Sequence, residues 1–434
     1  MKKIITLLIA LAMVLCICGC NDGDGGASSE MVETVYEEVV IDETGNADNT
    51  SDTVTISQET VSTDNSSASQ SSDESKNETS SKTTVTIDYD SVVEIDVCDD
   101  VIRGYLSQTQ ASQQFYWLNT FSGISTKYDY QTFSLRWKMS GGPYTLYISE
   151  NADFSNAYVI QTTSVTIEGT CLVPGKTYYW KVIGAYSQDP LGGGRIKVKD
   201  TPVRWITIDG TGNVRDMGGW KTESGKTVKY GMLYRGQNID NISDAGVATI
   251  KQLGLKTELD LRYERQKFQK SGTGMNYVFL DTSAQYDRVL WQDYEDEVKN
   301  NYKKIFELLS DESNYPFYTH CSAGADRTGT FAFITNGLLG VSYEDLTRDF
   351  ELTSFSSSGK RWRGNGTGST FLEGDDQMDV EGNYVAWGKL YKSMMSYGKE
   401  NGCTTLSQSI EHYLINYIGV PKSQIDSFKN IMLK

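Results

Sequence analysis

Residues 320–329, read as His-Cys-Ser-Ala-Gly-Ala-Asp-Arg-Thr-Gly, constrain this chain more than any other stretch. Residues 316–320 ("PFYTH") before them form a short, mostly apolar strand pattern. After them, Phe331, Ala332, Phe333, Ile334, Leu338 and Leu339 mark an apolar helix. The glycine-bearing stretch between is therefore a strand-to-helix turn. Such a turn aims backbone N–H groups and the positive end of a helix dipole at one point. The pattern predicts an anion site, with Cys321 at its start and Arg327 six residues on.

That placement suits a reactive thiol. A free Cys has a pKa of roughly 8.5, and a helix N-terminus with nearby cations lowers it to about 3.5–7.5. The N–H groups of Ser322, Ala323, Gly324 and Ala325 would line the loop. Arg327 would close it, because its fork binds two phosphate oxygens at once and a lysine cannot. A loop of this kind holds a tetrahedral dianion with a thiolate behind it for in-line attack. Thr328 can donate to the departing sulfur in a second step, and Asp326 can protonate the leaving oxygen. His320 reads as an orienting group, since a thiolate needs no base. No metal or cofactor is required: arginine and backbone neutralise the charge. The plainer alternative is a buried structural Cys beside a helix cap.

The rest of the chain is uneven. Its formal charge is −17, yet residues 21–100 hold 21 Asp and Glu against 2 Lys, a net of −19. The remainder is near neutral, at +2. The acidity belongs to a tail and argues against nucleic-acid binding. Lys2 and Lys3 precede an apolar run at residues 4–17, the shape of a secretory signal. The run ends in Ile17-Cys18-Gly19-Cys20, which resembles a bacterial lipobox. That resemblance implies a signal peptide at 1–20, lipidation of Cys20 and an extracytoplasmic protein anchored to the bacterial membrane. An ordinary signal peptide or short anchor is the other reading. Residues 21–90, rich in Ser, Thr, Asp and Glu, cannot bury enough apolar surface to fold and are expected to be a disordered linker. No C-x-x-C pair lies beyond residue 20, so a zinc or iron–sulfur site is not expected; Cys98 and Cys171 could pair.

Residues 91–209 show short alternating runs, among them "YTLYIS" and "YYWKVIGAY", punctuated by Gly-Gly-Pro and Pro-Gly. They predict a small all-β sandwich. The series Leu172-x-Pro174-Gly175-x-x-Tyr178-x-Trp180 resembles fibronectin type III modules. From residue 210 strands alternate with helices, as in "LKTELDLR" (255–262) and the helical 295–312 stretch, where Val298, Tyr302, Ile305, Phe306 and Leu309 share one face. This predicts an α/β domain over 210–434 with a central, mostly parallel sheet. Ligands bind such sheets at the carboxyl ends of strands, where Arg262 and Cys321 would both lie.

At these motifs the sequence resembles the cysteine-dependent tyrosine phosphatases, in their atypical bacterial branch. The loop at 320–329 carries the likeness. "NVRDMGGW" (213–220) with its "GMLYRGQNI" continuation, "LDLRYERQ" (259–266), "GVSYEDLTRDFELTS" (340–354) and "IEHYLINYIGV" (410–420) support it in order. The resemblance implies Cys321 as nucleophile through a phosphocysteine, Arg327 as phosphate ligand and Asp326 as general acid, with Asp287 or Asp293 as alternatives. It places Arg215, Asp216, Asp260 and Arg262 in or around the pocket. Ala325 departs from relatives that carry Lys there and take phosphoinositides, which favours phosphotyrosine. Residues 356–374, with Lys360, Arg361 and Arg363, read equally as a lid or a surface loop.

The expected protein is thus an exported, lipid-anchored phosphatase acting on phosphorylated protein or a small phosphomonoester. The enzyme alternative is a phytase-like or phosphoinositide phosphatase with the same loop. A non-catalytic phosphate-binding adhesin would need a disabled loop, and a sulfurtransferase would not need the Arg-Thr-Gly continuation.

Overall fold

The computed structural model describes residues 85–87, 92–122, 133–137, 142–163, 166–169, 172–186, 189–201, 203–359, 361 and 383–434. The leader with Cys20, nearly all of the 21–90 linker, Cys171, Lys360 and residues 362–374, Arg363 among them, lie outside the described residues. The chain divides into units 1–77 and 78–434, and all that follows concerns the second.

Two hydrophobic cores form. The smaller is built by β-strands. Strands β1 (Val85–Ile87), β2 (Val92–Ile95), β3 (Phe133–Arg136), β4 (Tyr144–Ser149), β5 (Tyr158–Thr162), β6 (Thr166–Gly169), β7 (Thr177–Gly184) and β8 (Pro190–Val198) make a three-stranded sheet, β1-β3-β6, and a five-stranded one, β2-β8-β7-β4-β5. In β7 every second residue is buried, the period-2 pattern that "YYWKVIG" displays in sequence. Leu135, Leu146, Trp180 and Ile196 meet in this core.

Two expectations need correction here. The 91–209 segment is not all β: helices α1 (Asp100–Ser107) and α2 (Ala111–Phe121) interrupt it. They leave the small core and join the large one through Ile102, Tyr105, Phe115 and Leu118. In addition, β1 falls inside the segment expected to be linker, where it pairs in parallel with β3. Cys98 is a buried free thiol, which burial pushes up to about 11.

The large core surrounds a second five-stranded sheet. Its strands are β9 (Arg215–Asp216), β10 (Leu233–Gly236), β11 (Thr257–Asp260), β12 (Asn276–Phe279) and β13 (Phe317–His320), in the order β12-β11-β13-β10-β9. All pairings are parallel except β9–β10. Every residue of β10, β11 and β13 is buried. Successive side chains face opposite ways, so these strands are covered on both faces, as the α/β pattern requires.

The helices are α3 (Asp244–Gln252), α4 (Glu295–Leu309), α5 (Arg327–Leu338), α6 (Tyr343–Leu352), α7 (Asn383–Glu400), α8 (Leu406–His412) and α9 (Lys422–Met432). Helix α4 buries the five residues read from its periodicity. Helix α5 is buried from Thr328 to Leu338, its apolar Phe331–Ile334 run flanked by buried threonines and Asn336. Its Phe333 meets Trp387 of α7 edge-on, and Trp387 stacks on Phe350 of α6. Register then fixes the site: Gly236, Asp260 and His320 are direct partners, so β10, β11 and β13 end at one level. Cys321 is the next residue.

Candidate active site

Residues 321–326 leave β13 and turn into α5. The turn needs Gly324, whose φ is +66°. A Cβ there would lie 2.1 Å from the Gly236 carbonyl oxygen. Only glycine accepts both that backbone angle and that approach.

The carbonyls of residues 322–325 are all occupied from outside the loop. Asn238 donates to Ser322 O from its N–H (3.3 Å) and its side-chain amide (3.1 Å). Asn213 Nδ2 (3.0 Å) and Ser358 Oγ (2.8 Å) donate to Ala323 O. Arg235 reaches Gly324 O at 2.8 Å and Ala325 O at 3.4 Å. A peptide whose C=O is tied outward turns its N–H inward. Among the described residues, the N–H groups of residues 322–326 meet no protein acceptor. The loop is a cradle of donors waiting for an anion.

Cys321 lies at its base and is 1% exposed. Burial pushes its thiol up; the Arg327 charge, then the Thr328 hydroxyl and N–H, outweigh burial and hold it below the ordinary thiol value. Asp326 acts weakly the other way. The Thr328 hydroxyl is buried with no oxygen or nitrogen partner of its own. Arg327 is half-buried over the Tyr263 ring, 4.5 Å from its centroid, with long bonds to Leu261 O (3.3 Å) and Ser322 Oγ (3.4 Å). Weakly held, it can turn to an incoming ligand.

His320 is fully buried between acceptors. Nε2 lies 3.0 Å from Glu258 Oε1, and Nδ1 lies 3.2 Å from Cys321 O and 3.8 Å from Asp260 Oδ1. An acceptor at each ring nitrogen suits the imidazolium, which has two donors. Burial alone would depress the pKa; Glu258 and then Asp260 reverse this, and the net shift is upward.

The arginines expected around the pocket separate by role. Arg262 is 3% exposed and spans two carboxylates, with NH2 to Asp260 Oδ2 at 2.8 Å and NH1 to Asp240 Oδ2 at 2.6 Å. Arg215 is fully buried, its Nε on Asp349 Oδ1 (2.8 Å) and its NH1 on Asn213 Oδ1 (2.6 Å). Burial and its neighbour Arg235 lower its pKa to about 10. Neither side chain is open to a ligand; both brace the walls. Asp216 faces the other way from Arg215 along β9. It accepts from Gly218 N, Gly231 N and Arg204, and touches none of the loop. Its expected place at the pocket is corrected accordingly. Asp260 stays beneath the loop, held by Arg262 and by Tyr277 OH at 2.9 Å. Burial raises its carboxyl, but Arg262 and His320 bring it below the usual range. Ala325 is wholly buried, so its side chain faces the protein body.

Asp326 accepts from Arg361 and from the Tyr286 phenol. Asp287 instead accepts from the Trp291 indole in an exposed pair at 3.2 Å, and Asp293 is exposed in the turn Gln292–Tyr294.

Several of these groups escaped the sequence reading. Arg235 and Asp349, which bond at 2.5 Å, lie inside motif stretches but carried no assignment. Glu258 had a visible signal: with Asp260 it puts two acids, i and i+2, on one face of an apolar strand. Tyr286 has φ +57°, and nothing in its sequence context announces that.

A mostly parallel sheet with a donor-lined cysteine loop at its carboxyl edge makes an α/β domain built around an anion cradle. Known proteins agree. The model of the tyrosine phosphatase family matches residues 206–434, more than half of the chain, and the chain belongs to that family. A Cupriavidus necator protein, provisionally named a tyrosine-protein phosphatase, is 26% identical over 168 residues. The match spans 33% of this chain and 61% of that relative's length. Among solved structures, the core catalytic domain of a PP-IP phosphatase from S. cerevisiae, in complex with citrate, matches at 17% identity. It covers 30% of this chain and 75% of that one at a TM-score of 0.23, too low to carry a structural argument.

Proposed function

We propose that the chain hydrolyses phosphomonoesters through a phosphocysteine on Cys321, with phosphotyrosine as its preferred substrate. The cradle of inward N–H groups around a depressed thiol carries this reading. The phosphoryl group docks on the amides of Ser322, Ala323, Gly324 and Ala325 and on the Arg327 fork. Cys321 Sγ attacks phosphorus in line, the bond to the leaving oxygen breaks, and that oxygen takes a proton from Asp326. Water then attacks the phosphocysteine, the P–S bond breaks toward Thr328, and phosphate leaves. His320, Asp260, Arg262 and Arg215 hold the loop in shape. Asp216 holds the lead-in turn.

The test is a substrate panel run with and without chelator. Phosphotyrosyl peptide should turn over faster than inositol hexakisphosphate, with no effect of chelator. The reverse preference would favour the phytase-like reading, and wild-type turnover in Cys321→Ser would remove the mechanism. We also propose an exported protein anchored through lipid on Cys20, with the β-stranded body as a fibronectin type III-like spacer. Cys20→Ala should then release the chain from membranes; continued membrane retention would refute the anchor.

A further inference from the structure

Asp326 holds the N-cap position of α5 but does not cap it. Its carboxylate faces three donors instead. Arg361 Nε lies 2.9 Å from Oδ1 and its second terminal nitrogen 3.1 Å from Oδ2, a two-pronged contact. The Tyr286 phenol, from the turn Tyr286–Leu290, also donates to Oδ1. All three meet it as donors, so the carboxylate is held as an acceptor. Across the loop, Cys321 feels the charges of both Arg327 and Asp326.

Arg361 is itself fixed. Its N–H bonds Ser354 Oγ at 2.8 Å, and Ser358 in the same strap grips Ala323 O. The strap thus touches the loop at Ala323 and at Asp326. The Arg361 side chain is 12% exposed.

We propose that Arg361 is a latch on Asp326: the ion pair holds the carboxylate as an acceptor at rest and opens when Asp326 takes up from solvent the proton that it then donates. The proposal rests on the reading of Asp326 as the acid of the first step. In that step the bond from phosphorus to the leaving oxygen breaks and the proton passes from Asp326 to that oxygen. Asp326 is then a carboxylate, and Arg361 closes on it again. In the second step the carboxylate takes a proton from the water that displaces sulfur. The latch therefore opposes the first half of the cycle and favours the second. Arg361 is a positioning residue, not a catalytic one.

The experiment compares Arg361→Gln and Arg361→Lys with the wild-type full chain on phenyl phosphate and p-nitrophenyl phosphate. Removing the fork takes away the positive charge that opposes protonation of the carboxylate, so the alkaline limb of kcat/KM should move upward for Arg361→Gln and less for Arg361→Lys. The shift should be large on phenyl phosphate, whose leaving group needs the proton, and small on p-nitrophenyl phosphate. Adding Asp326→Asn to Arg361→Gln should erase the shift and reproduce the Asp326→Asn profile. Superimposable profiles, equal shifts on both esters, or a shift that survives Asp326→Asn would overturn the latch. If Arg361→Gln does not fold, Arg361→Lys alone decides by the same difference between esters. Undiminished turnover in Cys321→Ser would instead sink the phosphocysteine reading and leave the latch without its reaction.

Discussion

At the scale of single residues, the loop works because its atoms leave few choices. Gly324→Ala would set a methyl group against the Gly236 carbonyl, at a φ whose strain alone is about 1–3 kcal/mol. The variant should melt as a folded protein yet lose the thermal shift that vanadate gives the wild type; a retained shift would show that the cradle tolerates a side chain. His320 supplies a different test. Its folded pKa is raised, so its stabilising effect is complete below the unfolded value of about 6.5. The effect fades as pH climbs through the folded value. The stability gap between wild type and Glu258→Gln should therefore be wider at pH 5.5 than at pH 8.5. Urea melts at the two values measure it, and a gap that grows with pH would contradict the assignment. Cys321, Arg327 and Thr328 were legible because phosphate chemistry dictates their types and spacing. Asp349 was not, since its meaning depends on two arginines 134 and 114 residues away that only the fold brings to it.

Secondary elements carry the next layer. Helix α6 presents Asp349 to Arg215 and Arg235, and Arg235 passes that support to the loop carbonyls. Burial raises the Asp349 carboxyl, but the two arginines more than reverse this. Removing one member of such a buried ion cluster strands the others and costs about 3–5 kcal/mol. Asp349→Asn should lower the urea midpoint accordingly; a change near zero would mean that the cluster is not coupled to folding. Helix α4 could be read from its periodicity, and α5 from the apolar run Phe331–Ile334 with Leu338. Helices α1 and α2 could not. "ASQQFYWLNTF" is rich in aromatics that suit a strand, and its neighbours alternate. What makes it helical is the large core that receives Phe115 and Leu118. One local cue existed: Asp99 caps α1 by accepting from Val101 N at 2.8 Å.

For the whole molecule, that helical pair changes where the catalytic body begins. The Tyr105 hydroxyl donates to buried Glu351 at 2.5 Å, and its ring meets Phe355 edge-on at 5.6 Å. Both partners flank the turn that leads into the Arg361 strap. A fragment starting at residue 203 contains the entire family match but not this wall. It should melt at a lower temperature than the 92–434 chain and lose activity first on heating. Equal melting temperatures would show that the wall is dispensable.

The path of the backbone gives this arrangement a wider meaning. Ile95 sits in the small core, Phe115 in the large one, Leu135 in the small one again, and Val203 back in the large one. A module that is spliced between genes by a single junction keeps its core on one side of the cut. Here any one cut between Ile95 and Val203 divides at least one of the two cores, so neither body can be parted from the other without opening its interior.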